Sequence, residues 1–183
     1  PPAEFVPIAE QSGLIDQLGR FVLHQACREA TRWEDGARVA VNISPMQLGK
    51  ATLAQTVRAA LLDSGLAADR LEIEVTETAL IQNEAESFED LRQLYSMGVH
   101  VALDDFGTGY SSLAHLRAFP FDKIKIDRSF VKDLTVRPDC LAIVRAIAGL
   151  GRSLAITTLA EGVETPEQLG RLRAEGCNEV QGF

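Results

Sequence analysis

Cysteine, histidine and basic side chains are all scarce in this 183-residue sequence, and each shortage closes off a class of chemistry. Its three cysteines, Cys27, Cys140 and Cys177, are far apart, odd in number and form no C-x-x-C pair. That excludes a disulfide framework and a zinc ribbon, and it suits a reducing cytoplasm. The histidines His24, His100 and His115 share no ligand spacing and are assigned to surface or core. Lys and Arg number 18 against 26 Asp and Glu, a formal charge of −8. A DNA or RNA polymer held by clustered cations is therefore not expected, and an anionic ligand would need a local cation or a metal. No run approaches the ~20 apolar residues of a membrane span, and the acidic start Pro1–Glu10 lacks the pattern of a signal peptide. Membrane contact is not expected from this segment, and any anchor of a longer parent would lie in other domains. No G-x-G-x-x-G loop follows any strand-like run.

What is present is a βα rhythm. Short runs at 39–44, 71–77, 99–106, 123–127, 155–162 and 179–183 read as strands and alternate with segments of helical period. A first long helix is expected from about Ile15 to Trp33. In ATLAQTVRAALLDSG, Leu53, Val57, Leu61 and Leu62 are assigned to one apolar side and Gly65 to the stop. FEDLRQLYSMG should stop at Gly98. TPEQLGRLRAEG opens with Thr165 as N-cap, Pro166 at the first helical position and Gln168 in reach of a capping box, and it ends at Gly176. Polar residues end nearly every strand, as they do around the C-terminal face of a (β/α)8 barrel. The expectation is α/β, a TIM-like barrel. A full barrel takes roughly 250 residues, and six strands are readable, so both ends are expected to be missing.

Strand alternation locates the chemistry. In LEIEVTE, Leu71, Ile73 and Val75 share one face and Glu72 and Glu74 the other, so the glutamates point inward, where each needs a partner, a proton or a metal. In KIKID, Ile124 and Ile126 pack outward and leave Lys123, Lys125 and Asp127 inside. Asn42 closes VAVN, Asp104 and Asp105 close VALDD, and Glu161 closes TTLAE. These hard oxygen ligands suit Mg2+ or Mn2+ rather than zinc. Adjacent aspartates allow one carboxylate to bridge two ions while its neighbour binds one, the arrangement that clamps an in-line displacement at phosphorus. Lys125 would hold the attacking water or offset charge in the transition state. Taken singly, each residue also has a structural reading as an ion pair, a cap or a turn; their joint occurrence at successive strand ends favours the catalytic one. Lys125 as a Schiff-base nucleophile would need to be neutral, against several nearby carboxylates.

N-I-S-P-M-Q-L (42–48), E-V-T-E-T (74–78), D-D-F-G-T-G-Y-S-S-L (104–113), K-I-D-R-S-F-V (125–131), A-E-G-V-E-T (160–165) and Q-G (181–182) follow in the order of EAL domains, which the opening P-P-A-E-F-V-P-I-A-E also resembles. The resemblance covers residues 1–183 and implies the EAL type of barrel, with one strand reversed, hydrolysing cyclic di-GMP to linear pGpG with two Mg2+ or Mn2+ ions. It implies Asn42, Glu74 and Asp104 on the first metal, and Asp104, Asp105 and Glu161 on the second. Lys125 matches the lysine that contacts the catalytic water, and Glu161 counts among the catalytic positions. Glu77 matches a glutamate that holds the D-D-F-G-T-G loop, a loop also linked to homodimers, while Glu164 and Gln181 match further polar residues of the substrate site. The strand with the E-A-L motif and the last strand and helix are expected outside the sequence, so weak or no turnover is expected from this segment alone. The competing expectation is an inactive EAL domain that serves as a cyclic di-GMP receptor or a protein-interaction module.

Overall fold

The chain was analysed as a computed structural model, which describes residues 1–108 and 113–183; the side chain of Gln82 is outside that description. Gly109, the second glycine expected to shape the D-D-F-G-T-G turn, therefore lies outside the described residues. Two compact units are present, Pro1–Val101 and Ala102–Phe183.

In the first unit, α1 (Pro2–Gln11) and α2 (Ile15–Ala30) precede β1 (Val39–Ile43), α3 (Leu53–Ser64), β2 (Leu71–Thr76), α4 (Glu77–Gln82) and α5 (Glu84–Ser96). From the sequence no element is expected before the long helix at Ile15, so α1 is an addition. Pro2 falls in its first turn, where a missing N–H costs nothing, and the interior Pro7 is accommodated. Strands β1 and β2 are parallel, with Asn42 opposite Glu74. Leu71, Ile73 and Val75 are fully buried, and Glu72 and Glu74, expected to point inward, are buried as well. Helix α3 buries Leu53, Ala54, Val57 and Ala60 and ends on left-handed Gly65. Leu62, expected on that apolar side, is 76% exposed: at ~100° per residue it lies half a turn round from Leu53.

Strand β3 (His100–Phe106) starts at the boundary, and the second unit continues with α6 (Leu113–Ala118), β4 (Lys123–Ile126), α7 (Arg128–Lys132), α8 (Pro138–Leu154), β5 (Thr157–Val163), α9 (Pro166–Glu175) and β6 (Glu179–Gly182). Its strands run parallel in the order β3, β4, β5, β6. Ile124 and Ile126 are fully buried. The capping box at Thr165 and Gln168 is formed, and Gly176 closes α9 in the left-handed conformation, both as expected. Cys27 and Cys140 are buried, whereas Cys177, which follows the α9 cap, is half-buried. Among the described residues no helix is long and apolar enough to cross a membrane.

Candidate metal and phosphate site

A regular strand cannot aim two consecutive side chains at one point, since successive side chains alternate between faces. Strand β3 solves this with a bulge. Leu103 pairs with Ile124 and Phe106 with Ile126, so three steps along β3 match two along β4, and the extra residue falls at Asp104–Asp105. Asp105 takes the left-handed conformation, φ 54, which is uncommon outside glycine. The result is that carboxylate oxygens of Asp104, Asp105 and Glu161 lie within 4.8 Å of one another.

Lys125, from the neighbouring β4, lies among them. Its Nζ donates to Asp104 Oδ2 at 3.0 Å and is 2.8 Å from Glu161 Oε1, with the lysine only 4% exposed. Asp104 Oδ1 also accepts the Asp105 N–H at 2.9 Å. Burial pushes the Asp105 carboxyl above its ordinary range; the neighbouring Asp104, Asp127 and Glu161 push it further, and Lys125 opposes them. As a Schiff-base nucleophile, Lys125 would have to shed its proton while touching two carboxylates, which speaks against that role.

A second bulge shapes β5. Glu161 faces Gln181 and Val163 faces Gly182, so Gly162 is the extra residue, with φ 69. A Cβ on Gly162 would come 2.7 Å from Cβ of Arg128, and one on Gly182 would run into the Val163 carbonyl. Gly182 is thus required by close backbone approach, and Gly162 by its left-handed conformation together with the nearness of the Arg128 side chain.

In the first unit, Asn42 Nδ2 donates to Glu74 Oε2 at 3.0 Å, so these two expected ligands are brought together at the ends of adjacent strands. Asn42 is exposed and Glu74 is buried. Glu77, expected to brace a loop, opens α4 and is 3% exposed. Glu164 is exposed and lies in a separate pocket with Asp127, outside the acidic trio, and Gln181 is exposed on β6.

Hard carboxylate oxygens drawn together from two strands, with a single ammonium among three acids, fit a divalent cation of the Mg2+, Mn2+ or Ca2+ type. Sequence reasoning missed two features. One is Asp90, a 2% exposed carboxylate on α5 that accepts the Gly49 N–H at 2.8 Å and further backbone N–H groups at Lys50 and Ala51, thereby holding the loop after β1. The other is Asp127, whose side chain accepts from Ser129 N at 3.0 Å and caps α7; it was expected only as an inward strand residue.

Comparison with known proteins gives a consistent result. The family model of the EAL domain matches residues 1–183. The bifunctional diguanylate cyclase/cyclic di-GMP phosphodiesterase MucR of Pseudomonas aeruginosa is 46% identical over 186 residues, which span 100% of this chain and 27% of that protein. The solved PaMucR phosphodiesterase in complex with c-di-GMP superposes with a TM-score of 0.94 at 46% identity, covering 100% of this chain and 75% of that one. Klebsiella pneumoniae BlrP1, solved as a manganese/c-di-GMP complex at pH 9.0, gives a TM-score of 0.80 at 34% identity over 91% of this chain and 43% of that one. The expected α/β fold of the EAL type agrees with these superpositions. The chain spans only about a quarter of the length of the curated relatives it matches, from 22% to 28%.

Proposed function

The chain belongs to the EAL domain family, and on that premise we propose that it is the catalytic module of a bacterial signalling phosphodiesterase that hydrolyses cyclic di-GMP to linear pGpG with two divalent ions, Mg2+ or Mn2+. The observation that carries this reading is the bulge in β3, which turns two consecutive aspartates toward Glu161 and Lys125. Bound there, a divalent cation would supply an activated water and offset charge on a phosphoryl oxygen. Asp104, Asp105 and Glu161 are its proposed ligands, and Asn42 and Glu74 are proposed as metal ligands in the first unit.

The chain's own groups have distinct tasks in this reaction. Water adds to phosphorus, the P–O3′ bond breaks, and the 3′-oxygen leaves with a proton. The ammonium of Lys125, fixed between Asp104 and Glu161, is placed to orient the water by hydrogen bonding and to offset charge as the phosphorus becomes five-coordinate. Glu77 is proposed to brace the D-D-F-G-T-G loop, and Glu164 and Gln181 to contact the nucleotide. The family resemblance is also the ground for proposing a homodimer and a cytoplasmic setting.

Incubation of the longest protein that carries this domain with cyclic di-GMP and Mn2+, followed by chromatography of the nucleotides, tests the reading with Asp105→Asn alongside. Formation of pGpG that the substitution abolishes supports it. A folded protein that binds cyclic di-GMP without cutting it would make the domain a receptor instead, and neither binding nor cleavage would leave a protein-interaction role.

A further inference from the structure

Helix α1 ends on a glutamate that helix electrostatics disfavours. Glu10 lies in its last turn, where no basic residue accompanies it and where the helix dipole opposes a negative charge. Among the described residues Glu10 has no ion-pair partner. What its carboxylate meets is the Ser44 hydroxyl, which donates to Glu10 Oε1 at 2.6 Å, the length of a charge-assisted bond. The contact joins residues 34 apart in sequence, both within the first unit.

Ser44 is the residue by which the chain leaves β1. The strand ends at Ile43, and Ser44 caps the short turn Pro45–Gln47. Its Oγ accepts the Met46 N–H at 3.1 Å, and its own N–H donates to Gln47 Oε1 at 3.1 Å. A hydroxyl has one proton, so giving that proton to Glu10 turns the oxygen lone pairs toward Met46. The Gln47 side chain, 7% exposed, lies against Gly19 of α2, where a Cβ would not fit. The rest of the loop is anchored separately, Gly49 by Asp90 at 2.8 Å and Lys50 by Asp16 at 3.0 Å. Glu10 therefore governs only the first part of the loop, the part that adjoins Asn42.

Asn42 stands two residues before Ser44 and is exposed. Among the described residues its side chain is tethered only through Nδ2, which donates to Glu74. Oδ1 is left to meet a cation, and where it stands is set by the backbone at the end of β1. Resting on the function proposed above, we infer that Glu10 is a positioning residue: through the Ser44 hydroxyl it fixes the end of β1 and holds Asn42 where Oδ1 can join Glu74 on a divalent ion. Groups that orient a metal ligand from behind commonly change metal affinity by about tenfold or more.

The test is made in the longest protein that carries this domain, without nucleotide, by titrating Mn2+ and following the free ion by electron paramagnetic resonance. Asn42→Ala marks the ions bound at Asn42 and Glu74, and Asp105→Asn marks those bound at the acidic trio. Glu10→Ala and Ser44→Ala should each weaken the Asn42 class about tenfold and leave the Asp105 class within about twofold. The double variant should be no weaker than either single one, because both changes remove the same bond. Glu10→Gln, which keeps an acceptor for the hydroxyl, should recover most of the affinity. In cyclic di-GMP cleavage the Mn2+ concentration for half-maximal rate should rise by the same factor, with kcat at saturating Mn2+ within about twofold of the wild type. Should Glu10→Ala fail to fold, Ser44→Ala carries the same test with α1 intact. Unchanged Mn2+ affinity in variants that melt like the wild type would overturn the positioning role. Equal weakening of both classes with a lowered melting temperature, the mark of general destabilisation, would overturn it too. A wild type in which Asn42→Ala weakens no Mn2+ site would end this inference and leave the acidic trio standing, whereas a wild type that binds no Mn2+ would overturn the proposed function as well.

Discussion

Replacing Lys125 by Met removes one charge and keeps most of the packing of the side-chain stem, which makes it a sharp probe of what the acidic cluster is for. Without metal, Asp104 loses its 3.0 Å ammonium partner and Glu161 its 2.8 Å one. Breaking a buried pair from one side costs about 3–5 kcal/mol. Asp104 side-chain exposure is 11% and that of Glu161 is 23%, so water recovers part of the loss for Glu161, and about 3 kcal/mol is expected. A divalent ion should reverse this. In the wild type the ammonium repels such an ion: taken at ~5 Å, with the dielectric of water, by about 1.7 kcal/mol. The variant should therefore bind Mn2+ more than about tenfold more tightly, even as phosphodiesterase activity falls. Saturation at a hundred times the dissociation constant contributes about 2.7 kcal/mol to the folded state. Urea unfolding in EDTA and in excess Mn2+, with the metal affinity titrated directly, gives all the quantities. A stability loss below about 0.5 kcal/mol in EDTA would refute the electrostatic reasoning, and an equal loss with and without Mn2+ would refute the cluster as a metal site.

Two further changes probe the supports of the site. Gly162→Ala places a Cβ 2.7 Å from Cβ of Arg128 at φ 69, so left-handed strain and a clash with a stem atom together should cost about 2–4 kcal/mol by chemical denaturation; a loss under about 1 kcal/mol would mean that α7 is not held against β5 as described. Asp90→Ala orphans the Gly49 N–H and its neighbours and should destabilise by about 3 kcal/mol. Burial raises the Asp90 carboxyl above its ordinary 3.8, so the native state holds that proton more tightly than the unfolded chain. The stability of the wild type relative to Asp90→Asn should thus be greatest below pH 3.8 and decline as pH rises through the raised native value. Urea titrations of both proteins at successive pH values read this difference directly, and a gap that widens in favour of the wild type with rising pH would contradict the assigned cause.

Strand positions were legible because each strand is a short β-branched run bounded by turn residues, and the caps at Gly65, Thr165 and Gly176 followed from local chemistry alone. What could not be read depends on partners. The alternation rule assigns Asp104 and Asp105 to opposite faces, and only the register with β4 reveals the extra residue that turns both toward Glu161. Asp90 sits in a helix with Glu84, Glu86 and Glu89 and looks like any other surface acid until the loop at Gly49 folds onto it. Leu62 was misplaced by counting apolar residues rather than angles. Arg128 belonged to a recognised motif, yet nothing local distinguishes it from a solvated surface arginine; the packing of Gly162 against its Cβ does.

The cluster also holds more conflict than a structural salt bridge requires. An ion-pair network would account for Lys125, Asp104 and Glu161, since one ammonium reaches two carboxylates. It leaves Asp105 unexplained. Among the described residues Asp105 has no ion-pair partner, it takes a backbone conformation that asparagine or glycine would adopt more readily, and its carboxyl is pushed up first by burial and then by like charges. A stability-driven sequence would relieve all three strains by one substitution at this position. Their persistence at a strand end, beside a second bulge at Gly162, is accounted for by the proposed metal, a positive charge that Lys125 does not supply.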